Sequence, residues 1–216
     1  MDKNRVWYYQ KMAETVIESL KRNDLDAFFY ENKEEAKNKI LSMIPEGSSI
    51  GLAGSVTLRQ MGVIDDLTRG NWKLYNQYLP DLPPEESLRI RREGTSADFF
   101  LSGTNAITLN GELINISAMG NKISGLAYAK KVIIVAGINK IVKDIGEGIE
   151  RTRHFVAPLN AKRLDFNTPC KGTGFCDYHR CRPPEYERMC NQVLIIEGER
   201  EKGRISVVWV GEGLGF

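Results

Sequence analysis

Apolar residues change period repeatedly along the chain, and each change predicts a change of element. Val6, Met12, Val16, Ile17 and Leu20 recur at helical spacing over residues 6–20. A second helix is predicted over Lys33–Met43, stopping before Pro45. The short apolar run Ser48–Leu52 then reads as a buried strand. Residues 57–68 carry Leu58, Met61, Ile64 and Leu67 on one helical face. Further strands are predicted over 72–78, 97–101, 132–136, 193–197 and 205–210, the last two joined by the charged turn GEREKG. Helices are predicted over 85–92, 123–131 and from about 139, with an interruption at Gly146 and Gly148. Asn110-Gly111 between ITL and ELI is a hairpin signal, because both residues tolerate positive φ. Strands that alternate with helices predict an α/β fold: a mostly parallel sheet flanked by helices in three layers, Rossmann-like.

A single domain is expected over residues 1–216, with N-terminal helices over about 1–45 and a cysteine-rich loop insertion over 167–191. With 216 residues, 42% of them hydrophobic, the chain can bury a sizeable core. A net charge of +2 carries no basic footprint for nucleic acid. No run reaches the roughly 20 apolar residues of a membrane span. The first residues, MDKNRVWYY, lack the apolar core of a signal peptide, so the expected location is cytoplasmic and the expected thiols are reduced.

Two glycine-rich corners stand at predicted strand ends. In the first, Gly51 and Gly54 lead through Ser55 into a helix, with Thr57 and Gln60 spaced as a capping box and Arg59 in the first turn. In the second, Gly103, Thr104 and Asn105 follow a strand, and Gly120, Asn121 and Lys122 open a helix. Backbone N–H groups exposed at such corners favour a small anionic ligand. The competing reading is a pair of packing turns with a solvated lysine. Neither corner is a Walker loop or a GxGxxG fingerprint.

All four cysteines fall within 24 positions: Cys170, Cys176, Cys181 and Cys190, with His179 between the second and third. The segment is rich in glycine and proline and poor in apolar residues, so a bound metal would supply its missing folding free energy. Free buried cysteines are the competing reading, and a redox thiol pair lacks its CxxC. Zinc sites favour CxxC knuckles, also missing here. Lys171, Arg180, Arg182 and Arg188 are expected to favour thiolates.

Together, GLAGSVTLRQMG, ADFFLSGTNAITLNGELINISAMGNKISGLAY, VIIVAGINKIV, the NTPC…CN segment and the ending VVWVGEGLGF resemble the LUD-domain family, the lactate-utilisation protein C-like proteins. The resemblance implies the fold of the superfamily of ribose-phosphate isomerase, glucosamine-phosphate deaminase (NagB/RpiA) and coenzyme A transferase. It implies a setting of lactate oxidation with iron–sulfur redox partner proteins, and hence an iron–sulfur cluster in the cysteine loop, with zinc as the alternative and His179 as a substitute ligand. Relatives space the middle cysteines more tightly. Related isomerases carry an acidic residue where this chain has Thr104 and Asn105, so the isomerase activity does not transfer with the fold. An enzyme acting on a sugar phosphate or acyl-coenzyme A, and a non-catalytic sensing or assembly subunit, are the alternatives; an oligomer is compatible with each.

Overall fold

The computed structural model describes residues 3–216, with the side chains of residues 3, 5 and 6 outside the description. The sequence expectation for Val6 therefore lies outside the described residues. The elements in order are α1 (Lys3–Arg22), β1 (Asp26–Tyr30), α2 (Lys33–Ser42), β2 (Ser49–Leu52), α3 (Val56–Gln60), α4 (Val63–Arg69), β3 (Lys73–Tyr75), α5 (Pro84–Gly94) and β4 (Phe99–Gly103). There follow β5 (Ala106–Thr108), β6 (Leu113–Ser117), α6 (Asn121–Tyr128), β7 (Lys131–Gly137), β8 (Ile141–Val142), α7 (Ile145–Arg151), α8 (Ala157–Leu164), α9 (Pro169–Thr173), β9 (Gln192–Ile196) and β10 (Ile205–Val210).

Six strands form the main sheet in the order β1-β10-β7-β4-β2-β3, every neighbouring pair parallel. Alternation along the central strands sends side chains to two different cores. Val132, Ile134, Val207 and Trp209 pack beneath α1 and α6, with Leu20 and Leu126. Ile133, Val135, Val208 and Val210 pack beneath α2, α3 and α4, with Ile40, Leu58 and Leu67. Both faces are therefore covered, as a parallel sheet requires, and each fully buried aliphatic side chain contributes about 1.5–3 kcal/mol. A smaller sheet, β8-β5-β6-β9, adds Ile107 and Leu113 to the first core.

Several boundaries differ from the sequence expectation. A strand, β1, interrupts the N-terminal helices: Asp26–Tyr30 pairs in register with Ser206–Val210. The helix expected over 57–68 is two helices, broken where Gly62 takes φ 71°. The helix expected from 139 begins at Ile145, capped by Asp144, whose side chain accepts from Glu147 N at 2.9 Å. It then runs without interruption through a π turn, Thr152–Val156, into α8. Gly148 lets it approach the small sheet, since a Cβ there would stand 2.8 Å from Ile114. Strands β9 and β10, adjacent in sequence, belong to different sheets.

Candidate functional site

From β2 the chain moves outward to β3 and returns on the other side of β2 to form β4. Such a reversal opens a crevice beyond the carboxyl ends of the strands. A cavity sits there, and four neighbouring strands supply its walls. Gly54, Ser55 and Thr57 follow β2; Gly103 ends β4, and Thr104 and Asn105 follow it; Lys140 follows β7; Gly215 and Phe216 follow β10. Lys122 enters from α6, and Val156 and Asn160 from the helix after β8.

Two glycines keep the cavity open. A Cβ on Gly103 would stand 3.0 Å from Ser55 Oγ and 3.6 Å from Lys140 Nζ. A Cβ on Gly215, itself at φ 65°, would stand 2.6 Å from Thr57 Oγ1 and 3.3 Å from Lys140 Nζ. Ser55 is the helix cap, its hydroxyl accepting from Leu58 N at 3.2 Å. The cap thus sits two residues before the expected Thr57, and the expected capping box does not form, because Leu58 stands at the third helical position. Thr57 Oγ1 instead accepts from Lys140 Nζ at 3.0 Å, and Gln60 Oε1 accepts from Gly215 N at 2.7 Å.

Positive charge dominates the cavity. Lys140 is 4% exposed, and Lys122 donates to Asn105 Oδ1 at 3.2 Å. Arg151 donates to Asn105 O at 2.8 Å and to Asn139 O at 2.9 Å, tying the β4 and β7 loops together. Among the described residues neither lysine has a carboxylate partner. Burial pushes both lysines down to about 7, and for Lys140 the charges of Lys122 and Arg151 add to the effect. Buried cations without an anion are costly, and an anion in the cavity would relieve that cost.

Seven of the sequence candidates meet here: Gly54, Ser55, Thr57, Gly103, Thr104, Asn105 and Lys122. Four do not line the cavity. Gly51 is a packing glycine inside β2, where a Cβ would stand 1.8 Å from Gly94 O. Arg59 lies over the Tyr78 ring at 4.0 Å and borders a separate groove. Gly120 supplies the left-handed turn (φ 87°) into α6 beside Gln192, and Asn121 is the first residue of that helix. Thr104 lines the cavity, but its hydroxyl is directed to the carbonyls of Ala106 and Ile114. Lys140, Arg151 and Asn160 were not legible as site residues. The available signal for Lys140 was a lysine three residues past the buried strand VIIVAG.

All four cysteines are free thiols and line one second cavity, together with Arg153, Tyr178 and Arg188. Thr168 caps α9 and contacts Cys170 Sγ at 3.3 Å, while Cys181 Sγ donates to Glu187 O at 3.5 Å. Arg188 and Arg153 lie over the Tyr178 ring at 4.1 and 4.9 Å. Among the described residues no group of three or more His, Cys, Asp or Glu side chains is arranged to hold a metal ion. His179 is exposed, packs edge-on to Tyr178 and does not line the cavity, so it is no substitute ligand in this arrangement. Cys176, Cys181 and Cys190 are also not activated as expected from the sequence. Burial raises Cys176 and Cys181 and pushes Cys190 up to about 11, and the neighbouring thiols add to each shift. Arg188 does favour the thiolates, as does Arg153 at Cys176, but burial outweighs them; Lys171 is paired with Asp165 and Arg180 with Glu185.

The sequence model of the LUD domain matches residues 13–210. Among solved structures, a DUF162 family protein from Deinococcus radiodurans aligns with a TM-score of 0.51 at 14% identity, over 95% of this chain and 98% of that one. This likeness establishes a shared fold. Ribose 5-phosphate isomerase from Plasmodium falciparum aligns with a TM-score of 0.34 at 18% identity, over about half of each chain, 51% and 52%. No curated protein matches the sequence.

Proposed function

The chain belongs to the LUD domain family, and from that premise we propose that it is a component of organic-acid oxidation that binds a small anion and carries an iron–sulfur cluster. The observation that carries the anion half is the meeting of Lys122 and Lys140 in one cavity with no carboxylate partner among the described residues. A carboxylate or phosphate there would accept from both ammonium groups, and Gly103 and Gly215 leave it room.

For the cluster, the supporting observation is the donor set. Four thiols from separate positions face one cavity, bordered by Arg153 and Arg188, which offset the negative charge of a thiolate-ligated centre. Cys170, Cys176, Cys181 and Cys190 would hold it. Zinc held by the same four thiols is the alternative. When bound, a cluster supplies one-electron transfer, and its electrons would come from or pass to iron–sulfur partner proteins. The chain's own residues would hold the anion and keep the positive charge in place.

A second reading has one observation in its favour. A lysine titrating near neutrality suits proton transfer, so an enzyme acting on a sugar phosphate or acyl thioester would find its base in Lys122 or Lys140. Protein purified without oxygen separates the two. Iron and acid-labile sulfide in the preparation, with a broad absorption band near ~400 nm, support the first reading. Iron-free protein that turns over a sugar phosphate supports the second and removes the first.

A further inference from the structure

The two cavities are not independent. A third one lies between them and shares walls with both. Asn105, Val156 and Asn160 line it together with the lysine cavity. Ala157, Met189 and Cys190 line it together with the cysteine cavity. Cys190 is thus the one thiol of the four, all of them described, that borders the passage.

Two features of the fold hold this arrangement. The helix Ile145–Leu164 passes both cavities, and its π turn at Thr152–Val156 directs Arg153 to the thiols and Val156 to the lysines. A π turn adds a residue to one helical turn and so re-aims the side chains on either side of it. On the opposite wall, the end of the cysteine loop is fastened to the turn that leads to Lys122. Asn191 N donates to Ser117 O at 3.2 Å, Asn191 Nδ2 donates to Ala118 O at 3.1 Å, and Ser117 Oγ accepts from Gly120 N at 3.1 Å. Lys122 follows two residues later.

We propose that the lysine and cysteine cavities form one composite site, in which an anion held by Lys122 and Lys140 faces the thiol-bound group across Cys190, so that each ligand alters the binding of the other. The inference rests on the functional reading above. The anion's charge opposes any added negative charge on the group at the thiols. Reduction of that group must therefore weaken anion binding, and anion binding must make reduction harder by the same factor.

The test uses sulfate and anaerobically purified protein. Sulfate affinity is measured by calorimetry, and the midpoint potential of the cluster is measured with and without saturating sulfate. The expected result is a fall in potential; an approximately tenfold coupling corresponds to about 59 mV for one electron. In parallel, the chelator-treated protein is alkylated with and without sulfate, and each cysteine is followed by peptide mass spectrometry. Sulfate should slow Cys190 by about tenfold while leaving Cys181, which does not border the passage, nearly unchanged. Should sulfate bind while both the potential and the Cys190 rate stay unchanged, the composite site is overturned and the functional reading survives. Absence of sulfate binding would remove the anion reading and the inference with it. If the protein carries no iron, the alkylation rates alone decide.

Discussion

Two lysines titrating near neutrality make anion binding a proton-linked event. Burial lowers both to about 7, far below the usual 10.5, because the charged form has lost its water. The free protein therefore sheds protons from these groups near pH 7, and an anion that pairs with them raises both pKa values again. Sulfate is a suitable probe, since it remains a dianion throughout the range. If binding needs one of the lysines charged, its charged fraction falls from about one half at pH 7 to about one in a hundred at pH 9, a loss of roughly 50-fold in affinity. If both must be charged, the loss is on the order of 10³-fold. Calorimetry at several pH values, in two buffers of different ionisation heat, gives the affinity and the protons taken up per sulfate. Uptake at pH 7 should approach one proton when both lysines take part, and Lys140→Met should halve it. The sign for stability follows from the same shift. The cost of the buried charges is fully present below pH 7, and stability from these groups rises between about pH 7 and 10.5 as the folded state loses its protons first. Sulfate affinity that stays flat to pH 9, with no proton uptake, would refute this reasoning.

Three further outcomes are expected. Gly51→Ala should destabilise the protein by about 3 kcal/mol or more in urea unfolding, because a Cβ would stand 1.8 Å from the backbone oxygen of Gly94; a change below ~1 kcal/mol would mean that α5 and β2 separate easily. Arg151→Met should weaken sulfate by roughly tenfold and cost about 2 kcal/mol of stability, because it frees the loops carrying Asn105 and Asn139; unchanged affinity would confine Arg151 to a structural role. Cys176→Ser should lower iron content per chain without unfolding the parallel sheet, as measured by metal analysis and circular dichroism, whereas full iron retention would exclude Cys176 from the ligand set.

Buried strands with a mostly apolar run were legible in the sequence. VIIVA lies within β7 and ISVVWV is β10, because a strand covered on both faces is mostly apolar. The hairpin at Asn110-Gly111 also formed, with Gly111 at φ 88°. Misreadings arose where short-range pattern competes with tertiary contact. DAFFY, with an acidic first residue, shows little strand period, and its partner Ser206–Val210 lies 180 residues away. Gly146 and Gly148 read as helix breakers, yet Gly148 serves close packing against Ile114. In the site the glycine corners were legible because strand–turn–helix junctions have a local signature. Lys140 and Asn160 were not, since only the pairing of β7 with β4 and the passage of the long helix over the strand ends bring them to Lys122; Arg151 reaches the site through Asn105 O and Asn139 O. The cysteine segment was legible as a cluster, while His179 sits near the thiols in sequence and outside their cavity in space.

We propose two adjoining sites, one for an anion and one for a thiol-bound cluster, on a single parallel-sheet scaffold. Anomalous diffraction from crystals of anaerobically purified protein soaked with selenate, collected at the iron and selenium edges, would locate both. Iron is expected within the cavity of Cys170, Cys176, Cys181 and Cys190, and selenium between Lys122 and Lys140. Iron absent from the thiols, or selenate bound only elsewhere, would contradict it.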